Sequence, residues 1–144
     1  MRRFLGSTER QLHLGLLILR LGLGAAFMAH GIPKLMSGAE GWVKYGQAVD
    51  NLGIHFGHQA FGLMAGLSEA GGGLLLLLGL FTRLACLPMI FTMLVATTMH
   101  LEHGQGFGGA AHAIEDGVAL LALLMAGAGR YSLDHKLSRP RSWS

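Results

Sequence analysis

Apolar residues fall into four long runs, and the polar residues collect between them. The first run spans about residues 11–35, the second 60–81, the third 84–101 and the fourth 110–128. Each holds roughly 20 residues, enough for a helix to cross a hydrocarbon core of about 30 Å. The segment between the first two runs differs. Residues 37–59 are polar and punctuated by glycine, and Trp42 and Tyr45 suit a membrane interface, with a short interfacial helix expected around residues 42–51. Thr82-Arg83 reads as a tight turn, Glu102 to Gly109 as a short Gly-rich loop, and Gly129-Arg130 as the stop of the last helix. The expected fold is all-α, a four-helix transmembrane bundle in one domain covering residues 1–144.

Charge sets the orientation. Arg2, Arg3, Arg10, Arg83, Arg130, Lys136, Arg139 and Arg141 fall on the side of the termini, and Lys34 and Lys44 on the other. The positive-inside rule then predicts an N-in/C-in, multi-pass protein. The basic start, Met1-Arg2-Arg3, is followed by an apolar run too long for the core of a secretory signal, so that run reads as a retained first helix.

Composition supports the bilayer as partner. Hydrophobic residues make up 51% of the chain and charged residues 13%, against about 25% charged in soluble domains. The net charge of +3, with no aromatic-interleaved basic runs, argues against a nucleic-acid partner. A single cysteine, Cys86, leaves no intrachain disulfide, CxxC pair or haem-attachment motif. No GxGxxG after a strand points to a flavin or nucleotide.

Two charges lie inside the apolar runs, and each needs a partner or a function. Glu69 lies about 9 residues into the second run, roughly 14 Å at helical rise, and Arg20 about 9 residues into the first. The helices run antiparallel, so both fall near mid-membrane. Gly62, Gly66 and Gly73 share the Glu69 side, and Gly24 sits one turn from Arg20, which permits close approach. The expectation is an Arg20–Glu69 ion pair, either fixing helix register or relaying charge. The glycines Gly62 and Gly66, with Ala70, serve intrachain packing or a homo-oligomer face equally well.

The histidines are biased to one side. His30, His55, His58, His100, His103 and His112 fall on or near the outer side, joined by Glu102, Glu115 and Asp116. His100/His103 and His112/Glu115 are spaced i, i+3, and His112/Asp116 i, i+4. An outer vestibule lined by His30, His100, His112 and Glu115 follows. Such groups suit a quinone head-group, with His100 and Glu115 exchanging protons. They also suit a metal, with His100, His103, His112 and Glu115 as candidate ligands, or haem held between two histidines.

Several motifs carry a resemblance. His30-Gly31-Ile32-Pro33-Lys34, Gly66-Leu67-Ser68-Glu69 with Gly72-Gly73, Gly79-Leu80-Phe81-Thr82-Arg83, His100-Leu101 and Gly129-Arg130-Tyr131-Ser132-Leu133-Asp134 together resemble the DoxX family of small bacterial and archaeal membrane proteins. The resemblance covers roughly residues 16–134. It implies a place in the cell (inner) membrane. It also implies a redox protein partner, since relatives include a subunit of a thiosulfate:quinone oxidoreductase and proteins linked to redox-stress complexes. By resemblance, Arg20, His30, Lys34, Glu69, Arg83, His100 and Glu115 are the positions expected to carry function. The expected function is a quinone-interacting subunit of such an oxidoreductase. The alternatives are a non-enzymatic scaffold or assembly partner, and an intrinsic metal or haem protein.

Overall fold

The computed structural model describes residues 8–138. Four helices are long and apolar enough to cross a membrane: α1 (Glu9–Met36), α3 (His58–Leu78), α4 (Thr82–Glu102) and α5 (Gly106–Ala126). Between α1 and α3 lie α2 (Gly38–Gly46) and a 3-10 helix (Gln47–Leu52), and a short α6 (Leu133–Leu137) follows α5. The structure describes no strand. The end of the bundle that carries Thr8 and Ser138 is called the terminal end below, and the opposite end the loop end. Arg2, Arg3, Arg139 and Arg141 lie outside the described residues.

Local signals place the boundaries. Thr8 and Gln11 form a reciprocal capping box at the start of α1. Pro33 does not end α1, which continues to Met36. The helix end leaves its last carbonyls without helical partners. The Trp42 indole N–H lies 3.1 Å from the Lys34 carbonyl and 3.2 Å from that of Leu35, and the Ser37 hydroxyl donates to Lys34 O as well. α3 stops earlier than the apolar run, at Leu78, because Gly79 adopts φ 63° and caps the helix. α5 starts earlier than expected, since Gly106, Gly108 and Gly109 are helical.

α2 and the 3-10 helix replace the interfacial helix expected around residues 42–51. α2 packs along the first half of α3, where Gly62 faces the Trp42 carbonyl and Gly46 faces the His58 carbonyl. A side chain at either glycine would overlap backbone. The 3-10 helix rests on α4, with Val49 buried.

α1 packs most closely on α3, and α4 on α5. One apolar core joins all four, built from Phe27 of α1, Leu76 of α3, Cys86, Met89 and Met93 of α4, and Ala113, Leu120 and Leu123 of α5. Outside this core, Leu12, Ile18, Met64, Leu84, Val118 and Met125 point outward and are exposed, the arrangement a lipid-facing surface requires.

Candidate functional site

The register of α1 against α3 decides which charges meet. An added Cβ at Gly24 would lie 2.7 Å from the Gly73 carbonyl, and one at Gly31 would overlap the backbone nitrogen of Ala70. The two backbones therefore touch at these levels, as small residues in membrane helices allow. Gly31 thus stands opposite Glu69 and Ala70, one turn below Lys34. Lys34 Nζ lies 2.6 Å from Glu69 Oε1. The Glu69 side chain is 3% exposed and that of Lys34 24%, so the lysine links a buried carboxylate to the outside. The ammonium also lies 5.6 Å from the centre of the Tyr45 ring. Glu69 Oε2 is buried with no partner among the described residues.

The expected Arg20–Glu69 pair is not formed. Arg20 stands 11 residues before Gly31, which at helical rise is roughly 16 Å along α1. Counting depth from the ends of apolar runs missed this. α1 overhangs α3 at the terminal end, and the glycine contacts set the register. Lys34 was in view in the His30–Lys34 motif, three residues after Gly31 and so on its face.

Arg20 instead holds the terminal end together. It is fully buried. Its Nη1 donates to the Leu76 carbonyl at 3.0 Å and its Nη2 to the Tyr131 carbonyl at 2.6 Å. Asp134 completes the clasp. Its carboxylate accepts from the Phe81 N–H at 2.7 Å and the Thr82 N–H at 3.0 Å, and its own N–H donates to the Gly79 carbonyl. A carboxylate at these two amides offsets the orphan donors and the positive end of α4. The Gly79–Arg83 and Gly129–Asp134 motifs, far apart in sequence, are thus one structural unit.

A groove opens between α3 and α4. Two apolar recesses, of about 420 and 70 Å³, share Met64, Ser68 and Pro88 in their walls. The larger runs past Leu67, Leu75 and Leu84, and the smaller reaches Tyr45, Phe91 and Thr92. Thr92 Oγ1 lies 3.2 Å from Ser68 Oγ and 2.9 Å from the Pro88 carbonyl. Two hydroxyls carry two protons, and the Pro88 carbonyl accepts one. With the Thr92 proton given to the Pro88 carbonyl, the Ser68 O–H donates to Thr92 Oγ1 and is the proton that turns to a guest carbonyl when one is bound.

The outer histidines are divided. His30 and His112 pack with ring centroids 5.8 Å apart and planes tilted by 58°, and His112 Nε2 lies 3.4 Å from Asp116 Oδ2. His100 is tied to Gln105 at 2.7 Å, His103 to the Met99 carbonyl, and Glu115 is exposed. His55 and His58 both contact Asp50 Oδ1, at 3.3 and 2.8 Å. The structure brings His30 and His112 together, but joins neither to His100 or Glu115 through a side-chain hydrogen bond or ion pair among the described residues. Nor do three or more His, Cys, Asp or Glu side chains gather there in a geometry suited to a metal ion.

Four apolar helices, a buried carboxylate paired with a partly exposed lysine and a clasped terminal end define a small polytopic membrane bundle. The chain belongs to the DoxX family, whose model matches residues 15–102. It is also 33% identical to an uncharacterized membrane protein of Mycobacterium tuberculosis, over 92% of this chain and 90% of that protein. No solved structure matches the chain.

Proposed function

We propose that this DoxX-family chain is a quinone-interacting membrane subunit of a redox system, with the ring at the Ser68–Thr92 hydroxyls. The observation that carries this reading is the groove between α3 and α4. Its long recess has the apolar lining an isoprenoid tail needs, and its inner wall carries the Ser68 hydroxyl, which can turn from Thr92 to a ring carbonyl. A quinone bound there supplies reversible two-electron, two-proton chemistry. Ser68 donates to the carbonyl and fixes the ring. Lys34 and Glu69, on the α1 side of α3, lock the helix that presents Ser68. The partly exposed Lys34 gives that pair a path for protons. Electrons come from a redox protein partner. His100 and Glu115, the proton exchangers expected from the sequence, line neither recess.

We place the terminal end in the cytoplasm of a bacterial or archaeal inner membrane. Arg10, Arg83, Arg130 and Lys136 cluster at that end, and Lys34 and Lys44 lie toward the other.

Purification in mild detergent, followed by quinone extraction, absorption spectroscopy and metal analysis on one sample, tests the reading. Ser68→Ala lowers bound quinone about fivefold, as loss of one net hydrogen bond implies. Glu115→Gln leaves it unchanged. Quinone lost in Glu115→Gln but retained in Ser68→Ala moves the site to the outer vestibule. Failure to recover or titrate in any quinone overturns the reading, and a Soret band or stoichiometric metal redirects it to a haem or metal protein. The scaffold alternative has its own support: Arg20 and Asp134 are committed to holding segments together.

A further inference from the structure

The terminal end carries a third recess, unrelated to the quinone reading. It is an open groove of about 770 Å³ between α1, the start of α4 and the segment after α5. Two arginines and two histidines line it: His13, Arg83, Arg130 and His135. The acidic residue in its wall, Asp134, is already spent on the α4 amides. Arg83 uses Nη2 on the Met125 carbonyl at 3.2 Å, and Arg130 lies 3.6 Å from Glu9. A guanidinium has five N–H donors, so both retain several for a guest. Two polar groups in the wall lack a partner among the described residues: the buried His135 Nε2 and the hydroxyl of the fully buried Thr82.

The same groove has an apolar lip. Phe81, Leu84 and Leu137 line it and are 59%, 65% and 72% exposed. Leu84 is in the first turn of a membrane-crossing helix, so the lip opens toward lipid. Cationic side chains beside exposed apolar ones match a molecule with an anionic phosphate and acyl chains.

We infer that the groove bounded by His13, Arg83, Arg130 and His135 binds the phosphate of an anionic phospholipid, with the acyl chains lying along Phe81, Leu84 and Leu137. Arg83 and Arg130 clamp the phosphate oxygens. Gly127 and Gly129, both at φ 77°, keep the floor free of side chains. The bound lipid ties α1, α4 and the chain after α5 together, where Arg20 and Asp134 already clasp them.

The test is thermal unfolding of the full chain in neutral detergent, with added phosphatidylglycerol, phosphatidylcholine or inorganic phosphate. Phosphatidylglycerol is expected to raise the Tm saturably and the other two are not. Arg83→Gln and Arg130→Gln should each weaken the phosphatidylglycerol response about fivefold, the factor for one cation near an anionic lipid. Arg130 is largely exposed, so its variant keeps the fold and remains informative even if Arg83→Gln unfolds. Lys44→Gln, away from the groove, keeps the full response. Equal shifts with phosphatidylglycerol and phosphatidylcholine overturn the inference. So does a phosphatidylglycerol response unchanged in Arg130→Gln. A saturable shift with inorganic phosphate equal to that with phosphatidylglycerol makes the site one for soluble anions and overturns the lipid assignment.

Discussion

Lys34 Nζ and Glu69 Oε1 lie 2.6 Å apart because Gly31, one turn before Lys34, lets α1 touch the backbone of α3 at Ala70. The pair is asymmetric, with a buried carboxylate and a lysine that reaches outside. Removing the lysine therefore strands the worse charge. Lys34→Leu is expected to cost about 3 kcal/mol or more, and Glu69→Gln less, because the remaining ammonium can turn to water. The double variant Lys34→Leu/Glu69→Leu should recover much of the loss. Arg20→Leu/Glu69→Leu should recover none, since those side chains do not meet. Unfolding in detergent measures all of these. Recovery in the Arg20 double variant, without recovery in the Lys34 one, would sink the assignment.

The glycines of α1 divide by what faces them. A Cβ at Gly31 overlaps the Ala70 backbone, whereas one at Gly22 meets nothing within 4 Å. Gly31→Ala is expected to cost about 1–3 kcal/mol by forcing α1 away from α3. It should also weaken the Lys34–Glu69 pair. Gly22→Ala should be neutral or slightly stabilising, since it only removes unfolded-state freedom. Equal stability of the two variants would show that α1 does not pack on α3 in this register.

Much of the fold was legible because apolar runs of membrane-crossing length have few other solutions. The four helices lie where hydropathy put them, with ends moved by a few residues by Gly79, Asp134 and Thr8. The polar pairing was less legible. Residue counting gives depth only when helix ends are level, and α1 overhangs α3 by more than two turns beyond Arg20. The role of Asp134 had no periodic signal at all, because it acts across more than 50 positions on the amides of Phe81 and Thr82. The Ser68–Thr92 contact was hidden for a similar reason. It depends on the α3–α4 rotation, which Gly72 against Met89 sets and sequence spacing does not.

Asp134 makes the terminal end one cooperative unit. Asp134→Ala removes the acceptor for two α4 amides and should cost about 1–2 kcal/mol, as loss of a strong helix cap does. The diagnostic readout is local. Hydrogen exchange should rise together at the Phe81 and Thr82 amides and across Leu133–Leu137, while the Lys34 region stays protected. If only the Leu133–Leu137 amides respond, Asp134 is an anchor for the tail and not a cap for α4.

The loop end should respond to acid through Asp50. Its carboxyl is held below the usual carboxylate range, chiefly by the hydrogen bond from His58; loss of hydration opposes the shift, and His55 adds to it. A depressed folded-state pKa means the charged form is the better held one. Its contribution is fully present above the unfolded value of about 4 and is lost as pH falls through the lower folded value. What weakens there is the docking of the 3-10 helix Gln47–Leu52 to the start of α3, where His58 sits. Hydrogen exchange of residues 47–57, corrected for the intrinsic pH dependence of exchange, should therefore accelerate below about pH 4. Asp50→Asn should exchange fast at every pH and show no such step. The core amides of α4 around Met89 should not respond in either protein. A step of the same size and position in Asp50→Asn would move the acid sensitivity to another group and remove Asp50 as its cause.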